Sequence, residues 1–371
     1  MIRLASLIET FETGFLARYQ AQLLPSQRKT LAAMKSCRTR HSPRMLAECP
    51  DYAHQTRVPH SCGHRSCPHC QQYERQQWLE RQLRKQVPAE YFLLTFTLPA
   101  ELRPLAWRHQ RKLYDLMLRC SWDRVRTFSH NDRQLRGTPG AISVLHTHSR
   151  RLNFHPHVHR VMPAAAVDAK HRLWLTQHGK KKRRAYLFNH QALAKVFRAR
   201  LLDAITREGL MLPKRCPEKW VADCKSVGSG EKALLYLGRY LYRGVIQEKD
   251  IIACENGQVT FRYQDSKTKQ IETRTLPGAE FLWLLLQQVL PKGFRRTRNF
   301  GFLHPNSKRL IALLQYLLKF DPKGILAAIK PRPPLCGPCC GTPMRILKTR
   351  LPPSPPKRRS IPSGQVSEIP A

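Results

Sequence analysis

Phe154-His155-Pro156-His157-Val158-His159 sets His157 and His159 two residues apart. Side chains alternate along a strand, so the two imidazoles share one face while Val158 anchors the other. Such a pair can hold a divalent cation, for which imidazole nitrogen is a good donor. Two ligands leave the ion under-coordinated. His146 in VLHTH would supply a third if the short SRRLN connection closes an antiparallel hairpin and brings it beside His157. Taken alone, a His-x-His pair is as readily a surface patch or two satisfied core groups; its setting decides.

That setting includes KALLYLGRYLYRGV, where Tyr236 and Tyr240 lie four apart and share one face of a helix. A phenol with a pKa near 10 is a weak nucleophile unless cations or a polarised electrophile assist it. Lys232, Arg239 and Arg243 surround the pair with positive charge and mark it for contact with phosphates. Attack on a phosphodiester would store the broken bond as a phosphotyrosine ester, which a later 3′-hydroxyl can reverse. Two tyrosines permit two linked transfers. The competing reading is an aromatic and aliphatic helix face packed on a sheet. Tyr242 lies about 200° round the helix from Tyr240 and is expected to be dispensable.

Five of the twelve cysteines fall between Cys37 and Cys70, and Cys62-Gly-His-Arg-Ser-Cys67-Pro-His-Cys70 contains a CxxC turn that aims two thiolates at one tetrahedral ion. The expected structural zinc set is Cys49, Cys62, Cys67 and Cys70. His54 competes with Cys62, which could instead join Cys37 in a second site. Near the other end, Cys336-Gly-Pro-Cys339-Cys340 repeats the CxxC spacing without a second pair in that segment, and little metal affinity is expected there.

The elements that must position these groups follow from composition and period. The chain has 371 residues, with 65 Lys+Arg against 25 Asp+Glu, a formal charge of +40. A charge of this size calls for a polyanion whose counterions are released on binding, so nucleic acid leads and an anionic membrane trails. The longest apolar run, Phe281–Leu290, is interrupted by two glutamines and falls short of the roughly 18 residues of a membrane span. Glu9 and Glu12 break what would be the apolar core of an export signal, so a soluble cytoplasmic protein is expected. No GxxxxGK[ST] motif points to a nucleotide cofactor. Basic runs at 179–184 and 292–298 could track phosphates, with Tyr186, Phe188, Phe294 and Phe300 as base-stacking candidates.

Helical spacing is expected through residues 1 to about 35, after Cys70 as far as Pro88, and over 104–128, 190–208 and 232–243. Strands are expected at 91–98, 141–147 and 154–162, with a hairpin of 259–263 and 273–276. The order reads as α+β: a central antiparallel sheet flanked by helices, preceded by a small helical zinc-binding domain. The corresponding divisions are 1–88, a core at 89–265, an extension at 266–330, and a Pro-rich basic tail at 331–371 expected to be disordered.

The segments SCGHRSCPHCQ, AISVLHTHSRRLNFHPHVH and ALLYLGRYLYRGVI, with the stretch from VTFRYQDSKTKQ to FRRTRNFGFL, resemble a rolling-circle insertion-sequence transposase of the two-tyrosine HUH class with an amino-terminal zinc-binding domain. The resemblance spans residues 37 to about 318. It implies an HUH-type nuclease core and a metal-dependent endonuclease and strand transferase that nicks single-stranded DNA at element ends. His157 and His159 would be the metal ligands, Tyr236 and Tyr240 the nucleophiles, and Mg²⁺ or Mn²⁺ the catalytic ion beside structural Zn²⁺. A replication initiator using the same chemistry, and a non-catalytic zinc-dependent DNA-binding protein, are the rivals.

Overall fold

The computed structural model describes residues 2–177, 187–243, 246–265, 268–327, 334–338 and 340–352. The basic run at 179–184, Tyr186 and Cys339 lie outside the described residues, as do the side chains of Tyr240, Tyr242 and Arg243.

In chain order the elements begin with α1 (Leu4–Tyr19), α2 (Pro25–Ser36), β1 (Arg44–Glu48), β2 (Gln55–Pro59), α3 (Gln72–Leu83) and β3 (Tyr91–Thr97). Next come α4 (Arg103–Arg108), α5 (Gln110–Asn131), β4 (Thr138–His148), β5 (Phe154–Pro163), β6 (Ala165–Asp168), β7 (Leu173–Thr176), α6 (His190–Arg207) and β8 (Ala222–Ser226). The chain continues through α7 (Glu231–Arg243), β9 (Ile251–Glu255), β10 (Gln258–Gln264), β11 (Ile271–Pro277) and α8 (Gly278–Gln287). It closes with β12 (Thr297–Gly301), α9 (Lys308–Leu317), α10 (Lys323–Ala327) and β13 (Arg345–Leu351). Two compact units result, one of residues 1–35 with 63–332 and one of 36–62 with 333 onward.

In the larger unit an antiparallel sheet runs β7-β6-β4-β5-β3-β8, with β12 pairing β4 beside β6. The fold is therefore α+β with a central antiparallel sheet. β3, α5 and β4 follow each other in a βαβ order, but β5 lies between the two strands and pairs antiparallel with both. β3 is covered on both faces, which is why it reads as a nearly continuous apolar run. Phe92, Leu94 and Phe96 face α5 and α6, packing with Leu113, Met117 and Phe197. Tyr91 and Leu93 face the other way, toward Trp78 of α3 and Leu234 and Leu237 of α7. On that second face the alternation continues into Thr95 and Thr97.

α7 is held by a tight entry. Gly230 has φ +81°, and a Cβ there would lie 2.7 Å from the Tyr91 ring, so only glycine fits before the helix begins. Within the helix, Gly238 lets α3 approach: a Cβ would meet the Trp78 indole at 3.3 Å. A third layer joins α1, α2 and α8 to the sheet β9-β10-β11 through Ile8, Phe15, Phe261 and Phe281. Among the described residues no helix is long and apolar enough to cross a membrane.

The smaller unit carries the sheet β2-β1-β13. Here the structure departs from the expected division of the chain. Arg345–Leu351, in the segment expected to lack structure, pairs antiparallel with β1, Glu48 opposite Arg345. The pairing joins segments about 300 residues apart, for which no local sequence signal exists.

Candidate active site

β4 and β5 pair so that His146 stands directly opposite His157, and Val144 opposite His159. The expected hairpin register is the observed one. The tight return is closed by Ser149 N–H donating to the Asn153 carbonyl and Leu152 N–H to the Ser149 carbonyl. The ligand nitrogens of His146, His157 and His159 all lie within 4.8 Å of one another.

β3 supplies what orients two of them. Thr95 lies opposite His159 and Thr97 opposite His157 across the ladder. The Thr95 hydroxyl is 2.9 Å from His159 Nδ1, and His157 Nδ1 is 2.7 Å from the His155 carbonyl oxygen. A carbonyl only accepts, so His157 Nδ1 carries the proton and its Nε2 keeps a free lone pair. The Thr95 contact permits the same tautomer at His159. His155 is itself held by the Arg103 guanidinium, 2.7 Å from its Nδ1.

Burial holds His146 and His159 well below the usual imidazole range, reinforced by the neighbouring imidazoles, and pushes His157 down to about 4. All three are neutral at pH 7, the form that ligates a metal. Three neutral imidazoles, two of them with the outer nitrogen engaged, fit a divalent ion. Arg296 adds positive charge near His146, and Lys225 near His159.

A stability effect follows. An unfolded imidazole titrates near 6.5, whereas folded His157 stays neutral until about 4 and His148, buried beside them, until about 3. Between those limits the unfolded chain binds more protons, so stability present above pH 6.5 is lost as pH falls. For His157 alone this is of order 3 kcal/mol. Scanning calorimetry of the metal-free chain should show a melting temperature flat from pH 7 to 8 and lower by roughly 10 °C at pH 4.5. A flat profile down to pH 4.5 would contradict the buried, neutral assignment.

Tyr236 projects from α7 over the same sheet face. Its ring centroid is 6.3 Å from those of both His146 and His159. Tyr236 is 41% exposed, so it is not a core-filling aromatic; Ala233, Leu234, Leu237 and Leu241 are the residues of this helix that are buried against the core. Lys232 and Arg239 are exposed on α7, one turn to either side of Tyr236. Tyr240 and Arg243 lie on the same helix, but their side chains are outside the described set.

The thiols regroup relative to expectation. The CxxC thiols Cys67 and Cys70 belong to the larger unit, and Cys37, Cys49 and Cys62 to the smaller. Cys49 follows β1, with its N–H donating to the His54 carbonyl, and lies instead with Asp51 and Cys340. The CxxC turn is anchored by Arg65, which donates to the carbonyls of Leu290, Pro291 and Phe294, and by His69, paired with Glu248 at 2.7 Å.

Two base-stacking candidates are core residues. Phe294 is buried edge-on to Tyr114, and Phe188 is buried edge-on to Phe128. Phe300 stacks on Trp122. Part of the second basic run forms β12, a sheet strand. Thr95, Arg103 and Gly230 went unnoticed in the sequence. The signal available for Thr95 was a polar side chain inside an otherwise apolar strand.

Comparison with known proteins gives the class. Residues 140–310 match the family model Y2_Tnp, described as a putative transposase, and residues 7–98 match Zn_Tnp_IS91, a transposase zinc-binding domain. The chain thus carries a transposase domain together with a transposase zinc-binding domain of the IS91 type, and its curated relatives are transposases. It is 29% identical over 312 residues to the putative transposase y4qJ of Sinorhizobium fredii (strain NBRC 101917 / NGR234), covering 77% of each chain. To the transposase for insertion sequence element IS801 of Pseudomonas savastanoi pv. phaseolicola it is 30% identical over 276 residues, 67% of this chain and 65% of that one. A solved structure of the conjugative relaxase TrwC in complex with oriT DNA, metal-free, matches 62% of this chain and 72% of its own at 11% identity and a TM-score of 0.26.

Proposed function

We propose that this chain nicks and rejoins single-stranded DNA at the ends of a mobile element, in a rolling-circle manner and through phosphotyrosine intermediates. The observation that carries the reading is the placement of the exposed Tyr236 ring 6.3 Å from the His146 and His159 rings on one face of the sheet. Tyr236 opens the reaction. Its oxygen attacks the scissile phosphorus, the P–O3′ bond breaks, the phenolic proton passes to solvent and the departing 3′-oxygen takes one up. Tyr240, one turn on, serves the second transfer.

His146, His157 and His159 would hold Mg²⁺ or Mn²⁺, which when bound supplies charge stabilisation at the non-bridging phosphate oxygens. Thr95 and the His155 carbonyl keep the outer imidazole nitrogens occupied. Lys232 and Arg239, with Arg243, hold phosphates flanking the attacked one. Cys67 and Cys70 of the CxxC turn ligate a structural zinc. The expected setting is the cytoplasm, with single-stranded element ends and target DNA as partners.

The test is cleavage of single-stranded oligonucleotides carrying element ends, with Mn²⁺, with EDTA, and with Mn²⁺ restored. Cleavage that needs the ion and leaves protein covalently attached is the expected result. Cleavage indifferent to EDTA, or absent with every element-end strand in Mn²⁺, would overturn the proposal.

A further inference from the structure

The smaller unit poses a separate problem. β13 is exposed along nearly all its length, and Ile346 and Leu347 project apolar surface into solvent. The apolar cluster beneath it is Ala47, Cys49 and Met344, with Leu335 and Cys340 packed against them. A cluster this small is too weak to fix a chain segment that arrives from about 300 residues away, and units of this size are usually stapled by a disulfide or a metal.

A staple has its parts in place. Cys49 Sγ lies 3.3 Å from Cys340 Sγ. Asp51, two residues after Cys49, completes a group whose ligand atoms all lie within 4.8 Å of one another. The Thr342 hydroxyl donates to Asp51 Oδ2 at 2.5 Å, orienting that carboxylate from the same loop that carries Cys340. The loop itself is tightly made. Met344 N–H donates to the Leu335 carbonyl, Gly337 N–H to Thr342, and Gly341 N–H to Gly337. Gly341 has φ +71°, and a Cβ on Gly337 would lie 3.1 Å from Cys340 Sγ and 3.5 Å from Cys49 Sγ. Glycine at 337 leaves the space around the two sulfurs open.

We propose that Cys49, Cys340 and Asp51 form a second zinc site, separate from the CxxC thiols Cys67 and Cys70 and fastening β13 to β1. Two thiolates and one carboxylate fill three positions of a tetrahedron, leaving the fourth to water or a further side chain. Binding releases the two thiol protons to solvent. The inference does not depend on the nicking reading.

The experiment uses the full chain, purified under reducing conditions with zinc present. Metal content by plasma mass spectrometry should fall by one equivalent per chain in Cys340→Ala and in Cys49→Ala, and separately by one in Cys67→Ala. A footprint of the wild-type protein covers the case in which a variant fails to fold. Iodoacetamide should label the half-buried Cys340 at least about tenfold faster after chelation than with zinc bound, because a metal-held thiolate is a poor nucleophile. Unchanged zinc content in folded Cys49→Ala and Cys340→Ala would overturn the proposal. So would equal Cys340 labelling with and without chelator, or a Cys49–Cys340 disulfide that accounts for the protection.

Discussion

Tyr236→Phe should lower first-strand nicking by at least about 10³-fold, the scale on which removing a nucleophile acts, while changing DNA affinity less than twofold. The substitution deletes one oxygen. The ring keeps its place against the His146 and His159 rings, the helix keeps its apolar face on α3, and Lys232 and Arg239 keep their exposure. A loss of activity therefore reports on the phenol alone. Gel mobility of a labelled element-end strand gives the binding term, and denaturing electrophoresis of covalent adduct gives the chemical one. Nicking at the wild-type rate would reduce Tyr236 to a neighbour of the site.

The double variant His157→Ala with His159→Ala should weaken Mn²⁺ binding by at least about 100-fold, read from the paramagnetic resonance of free Mn²⁺. Both residues project from β5 toward His146, and removing them leaves one of three converging nitrogens. Thr95→Val is the milder companion. It removes the hydroxyl 2.9 Å from His159 Nδ1 without changing the shape of the strand, and should cost about tenfold in Mn²⁺ affinity through His159 alone. Mn²⁺ binding unchanged in the double variant would place the ion elsewhere.

Much of this site is local, and local features were readable. The two-residue spacing of His157 and His159 fixed a shared face. The short connection after His148 fixed which strand would stand beside it, and His146 indeed faces His157. The four-residue spacing of Tyr236 and Tyr240 required only a helix, which formed over Glu231–Arg243. What went unread depends on distant segments. Cys49, expected beside Cys67 and Cys70, lies with Asp51 and with Cys340, which arrives on a loop from about 300 residues further along the chain. The same long-range pairing turned part of an expected disordered tail into β13. β12, hidden within a basic run, is a strand because β4 offers it an open edge. Phe188 and Phe294 looked available for bases, but burial is decided by what packs on them, and Phe128 and Tyr114 do.

The most direct test identifies the residue that carries the DNA after a single turnover. Trypsin cuts after Lys232, Arg239 and Arg243, so Tyr236 is released in Ala233–Arg239 and Tyr240 in Tyr240–Arg243. With an element-end strand and Mn²⁺, nuclease trimming followed by mass spectrometry should find the nucleotide on the first of these peptides. A first-turnover adduct confined to the second peptide, or none on either, would contradict the claim that the Tyr236 phenol and the three imidazoles act on one phosphorus.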